Sequence, residues 1–102
     1  MQAFSPLVGC KLQEIIPGLD EQVSLRFDRA VLGIYNPVRT SSGNWENGYL
    51  DSVVANLETS ETEFVIHFDS GDSLSISIAP DSFVGPEAMS VQFEDGSIAV
   101  WQ

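Results

Sequence analysis

The side chains able to do chemistry are few in kind. The chain has one histidine, His67, and one cysteine, Cys10. A structural zinc site takes four Cys or His ligands, so one chain of this composition does not assemble one. Cys10 precedes Lys11, and a neighbouring ammonium lowers a thiol pKa. The competing reading is that a lone cysteine ahead of an apolar strand is a small buried hydrophobe. His67 is out of phase with Phe64, Ile66 and Phe68, which puts it on the solvent side beside Val65. Carboxylates are abundant, and glycoside hydrolysis needs two of them across a cleft, but abundance pairs no two of them. Asp69-Ser70-Gly71-Asp72-Ser73 resembles part of a calcium loop. It lacks the ligand run and distal Glu of such a loop, and reads better as a hairpin turn. No glycine-rich phosphate loop stands between a strand and a helix. These residues imply no catalytic set, no cofactor and no metal site.

Binding has better candidates than catalysis. Residues 36–49 are rich in Ser, Asn and Gly and carry no periodicity, so they read as a loop. That loop holds Arg39, Trp45 and Tyr49, residue types enriched at binding hot spots. The alternative is that Trp45 folds back to plug one end of the domain. Trp101 stands opposite Ile98 and Val100 in phase, which places it on an outer face.

Charge supplies the second candidate surface. The net charge is −11, from fifteen carboxylates against four Lys and Arg. Four of the carboxylates (Glu14, Asp20, Glu21, Asp28) and all four cations (Lys11, Arg26, Arg29, Arg39) precede residue 40, leaving eleven carboxylates and no cation after it. An acidic surface repels nucleic acid and anionic lipid, and suits either a basic protein partner or simple solubility.

The elements that must hold these residues are strands. One phrase, apolar-x-Phe-acid, occurs three times: Leu25-Arg26-Phe27-Asp28, Ile66-His67-Phe68-Asp69 and Val91-Gln92-Phe93-Glu94. Each is followed by a turn and an alternating apolar run, the pattern of a β-hairpin. Asp95-Gly96 predicts a type I′ turn in the third. In the first copy Ala30 stands where the third has Gly96, so that turn differs in type or strains Ala30. Ser5-Pro6-Leu7-Val8-Gly9 has the grammar of one helical turn, and Pro86-Glu87-Ala88-Met89 of another. Residues 10–16 read as a strand with Leu12 and Ile16 inward. Pro17-Gly18 marks a turn, and Pro37 and Pro80 end strands. Units 5–37 and 48–80 match in pattern, with Leu50 in the place of Leu7. The match fits a pseudo-two-fold pair of three-stranded units, or only the likeness of any two hairpins. The expectation is one all-β domain over residues 1–102. About eight short antiparallel strands would form a small sandwich or barrel, two three-stranded units with a C-terminal hairpin.

Leu7-Val8-Gly9-Cys10 matches the pattern at which bacterial lipoproteins are cut, but residues 1–9 hold no basic or long apolar run of a signal peptide. With no 18-residue apolar stretch either, the expectation is a cytoplasmic protein without a membrane span. The alternating hairpins and Val84-Gly85-Pro86-Glu87-Ala88-Met89 resemble small bacterial all-β proteins that carry no assigned function. In general character the chain is similar to immunity proteins, and that resemblance implies a role in neutralising a toxin partner. The reading is a non-enzymatic interaction domain for a basic protein. The alternatives are a self-associating module, with residues 73–78 as its open strand, and a small-molecule binder or enzyme working inside a barrel.

Overall fold

The computed structural model describes residues 2–18, 22–40, 50–82 and 87–101. Trp45, Tyr49 and the Gly85-Pro86 pair lie outside the described residues. The described chain forms nine strands: β1 Leu12–Pro17, β2 Val23–Phe27, β3 Ala30–Ile34, β4 Val38–Thr40, β5 Val54–Thr59, β6 Glu63–Phe68, β7 Ser73–Ser77, β8 Met89–Phe93 and β9 Ile98–Trp101. Short 3-10 helices cover Gln2–Leu7 and Pro80–Ser82. Met89, expected in a helical turn, instead opens β8. The strand absent from the sequence reading is β4, which occupies the start of the expected loop at 36–49.

Two antiparallel sheets result, one in the order β1-β2-β3-β8-β9 and the other β4-β7-β6-β5. Alternation sets their facing sides. Leu25, Phe27, Leu32, Ile34, Met89 and Val91 point inward from the first sheet, and Phe64, Ile66, Phe68, Leu74 and Ile76 from the second. They join Phe4, Leu7 and Leu12 in one apolar core. The chain passes from the first sheet to the second at Asn36-Pro37. Pro37 has no N–H to donate, but its carbonyl accepts the Ser77 N–H at 3.0 Å.

The acids of the first two phrases each hold, within their own sheet, one residue of the crossing between the sheets. Asp28 N–H donates to Lys11 O at 2.9 Å, and its Oδ1 accepts the Lys11 N–H at 3.0 Å. Asp69 repeats this with Val53, at 2.9 and 3.1 Å. Lys11 and Val53 then pair with each other in an antiparallel bridge that joins the sheets at a corner. The flanking bonds match across it. Gly9 N–H donates to Val54 O and Asp51 N–H to Leu12 O, each at 2.8 Å. Leu12 N–H donates to Ser52 O and Val54 N–H to Cys10 O, each at 2.9 Å. Both strands carry a register shift just past the bridge, between Leu12 and Glu14 and between Val54 and Asn56. Gly9 and Asp51 turn into this crossing with φ of 91° and 68°. An aspartate tolerates that left-handed backbone better than most side chains.

The shift in β1 corrects one expectation. It inverts the alternation after Leu12, so Ile15 packs on the core and Ile16 is 41 % exposed. Leu50 is not the counterpart of Leu7 in packing, since Leu7 is buried and Leu50 exposed. Nor is Asp95-Gly96 a type I′ turn. Only Gly96 has positive φ, 90°, and its N–H donates back to Phe93 O at 2.9 Å. Ala30 has no left-handed backbone and lies in β3 opposite Phe93.

Candidate functional site

Among the described residues the reactive side chains do not converge. Cys10 is buried, and burial first of all pushes its thiol pKa up, outweighing the lowering by Arg29. Its Sγ donates a long hydrogen bond, 3.4 Å, to Pro6 O. That is the small-hydrophobe reading, not an activated nucleophile. His67 is on the outer side of the second sheet, where its Nε2 meets Glu58 Oε1 at 3.0 Å. Among the described residues, no three of His, Cys, Asp and Glu gather as a metal would need. Residues 69–72 form the β6–β7 turn, with Gly71 at φ 95°. Of the three predicted binding residues, Arg39 is on β4 and ion-paired with Glu63. Its relation to Trp45 and Tyr49 lies outside the described residues.

What the fold does build is a cleft. It opens between β1–β2 of the first sheet and β4 of the second, with a volume of about 710 Å³. Ile15, Pro17, Val23, Pro37, Val38 and Leu50 make its apolar wall, and Gln13, Glu14 and Gln22 its polar part. Among the described residues Glu14 is the single ionisable one in that lining, and it is held by Arg26 Nε at 2.9 Å. Arg26 also reaches Gln13 Oε1 at 2.9 Å. A cleft of this size and lining suits binding of an apolar group.

The sequence held partial signals of this cleft. Val23 was legible as inward and Pro37 as a strand end. Ile15 was not, because the bulge that turns it inward leaves no pattern in single-residue alternation. Val38 falls within the expected loop, since three residues are too few to show a period.

Elsewhere the core is filled by rings. Phe4, Phe64 and Trp101 form a triangle with centroids 5.5, 5.9 and 5.6 Å apart. Trp101 therefore faces inward with Ala99, while Ile98 and Val100 face out, the reverse of the expected phase. Register decides it: Trp101 pairs with Met89 and Ala99 with Val91, both core residues.

Charge is organised by pairing. Each of the four cations has a carboxylate: Lys11 with Asp51, Arg26 with Glu14, Arg29 with Asp28, Arg39 with Glu63. The remaining acids set the field of the molecule. No helix among the described residues is long and apolar enough to cross a membrane. Comparisons with protein families, with curated proteins and with solved structures found no match.

Proposed function

We propose that this chain is a non-enzymatic interaction domain, acting in the cytoplasm, for a basic protein that seats an apolar segment in the cleft. The observation that carries this reading is the cleft lining: six apolar side chains, with Glu14, already paired, as the lone ionisable group among the described residues. The net charge of −11, with every cation matched to a carboxylate, favours fast encounter with a positive surface. The likeness to immunity proteins makes a toxin one candidate of that kind.

Leu50 gives a clean test, because it lines the cleft yet is 43 % exposed, so changing it spares the core. Immobilised protein and its Leu50→Asp variant would be exposed to native lysate at low and high salt. The expected result is a basic protein held by the parent at low salt, released at about 0.5 M salt and not retained by the variant. Retention that ignores both salt and the variant, or no retention at all, overturns the reading.

The cleft volume favours one other reading, since about 710 Å³ is within the range of small-molecule sites. On that reading the domain holds an apolar ligand in an open cleft between sheet edges. An apolar fluorescent probe that binds the parent and not Leu50→Asp, with no protein retained from lysate, would point this way.

A further inference from the structure

Among the described residues the two sheets leave four edge strands, β1, β9, β4 and β5. Natural sheets protect such edges with charge, proline or bulges. Three of these edges follow that rule. β1 carries Glu14, Pro17 and a register shift, β4 carries Arg39, and β5 carries Glu58 and a register shift. β9 reads Ile98-Ala99-Val100-Trp101, with none of these devices.

The main chain of β9 is also turned outward at the right residues. Phe93 N–H donates to Ser97 O at 2.9 Å and Ala88 N–H to Trp101 O at 2.8 Å, so residues 97, 99 and 101 face β8. The peptide groups of Ile98 and Val100 point to the open side. Their side chains stand on the outer face, 65 % and 41 % exposed. Behind them the outer face of β8 and β3 is uncharged, with the Tyr35 hydroxyl against Ser90 Oγ at 3.2 Å. Ile98 pairs with Gln92, which pairs with the exposed Val31. Val100 pairs with Ser90, which pairs with Gly33.

We propose that β9 is a self-pairing edge: β9 of a second copy aligns antiparallel to it about Ala99, with Ile98 opposite Val100 of the second copy. The two five-stranded sheets then become one. The occupant is a second copy because the strand is complementary to itself under that two-fold. Each Ile98 meets a Val100 on the outer face, and the outward peptide groups of both satisfy one another. Charge argues the same way. Two chains of −11 repel, and they approach best where the strand and the outer face of β8 and β3 behind it carry no carboxylate. Four residues a side is a small contact beside the roughly 800 Å² per partner of a standard interface, so the dimer dissociates on dilution. This inference is independent of the cleft. Its salt dependence has the opposite sign: screening strengthens a pairing between like-charged copies.

Sedimentation velocity of the full chain, from micromolar to millimolar, tests it at low and at about 0.5 M salt. A monomer–dimer equilibrium that tightens with salt is expected. Val100→Pro removes an outward N–H and leaves the β8 ladder intact, and Ile98→Lys sets a cation at the pairing line. Each is expected to raise the dimer Kd by about tenfold or more. Val31→Lys, on the same face but two strands in, is expected to leave the dimer standing. Circular dichroism and melting of dilute Val100→Pro establish that it is folded. A chain that stays monomeric throughout, or a dimer that folded Val100→Pro leaves unchanged, overturns the proposal.

Discussion

Ser97 shows how much a single hydroxyl does for the last hairpin. Its Oγ and its N–H both donate to Asp95 Oδ1, at 2.6 and 2.9 Å. These bonds, the side-chain one first, hold the Asp95 pKa below its ordinary value of 3.8. The sign follows from linkage. A depressed carboxylate pKa stabilises the fold above the unfolded value, and that contribution is lost as pH falls through the folded value. Ser97→Ala is therefore expected to lower stability at neutral pH and to converge with the parent in strong acid. Urea unfolding at a series of pH values reads this directly. A deficit that persists unchanged in acid assigns the effect to something other than Asp95. The opposite case is Cys10, whose environment raises its pKa and keeps it a packing residue.

At the scale of elements, the Phe-acid phrase means more than a hairpin. Its Phe enters the core, and its Asp clamps the first residue of the sheet corner in the first two copies. The third copy has Glu94, exposed, whose main chain bonds to Arg29 O at 3.0 Å. Asp28→Ala and Asp69→Ala are each expected to cost about 1 kcal/mol of stability, the worth of a partly exposed hydrogen bond. Glu94→Ala is expected to change it by less than about 0.5 kcal/mol. Chemical denaturation of the three variants decides. Equal losses at all three positions remove the distinction. Strand order decides which strands stay open. Residues 73–78 looked like a free edge in sequence, yet β7 is enclosed by β4 and β6. The open strand without protection is β9.

For the whole molecule the dominant quantity is the net charge of −11. Its four cations are spent in exposed ion pairs, each worth little in water. The surplus acids repel one another, which disfavours the compact state. Raising salt from low to about 0.5 M is expected to raise the melting temperature by screening that repulsion. A fall in melting temperature would mean that the ion pairs outweigh it.

Much of this protein was legible before folding was considered. Alternation at Leu25-Phe27, Phe64-Phe68 and Leu74-Ile76 determines which side chains are buried, because strand geometry sends successive residues to opposite faces. Composition determines that one chain cannot supply the four Cys or His ligands of a usual structural zinc site, and that the net charge is strongly negative. The cleft, the corner and the open edge were decided only by tertiary structure. A bulge at Gln13 turns Ile15 inward, and a three-residue strand brings Val38 opposite it. The pairing of β9 with β8 sends Trp101 inward against Phe4 and Phe64, and exposes Ile98 and Val100. The physical reason is the same in each case. Local pattern fixes the period of a strand, but its phase and its neighbours depend on residues far along the chain.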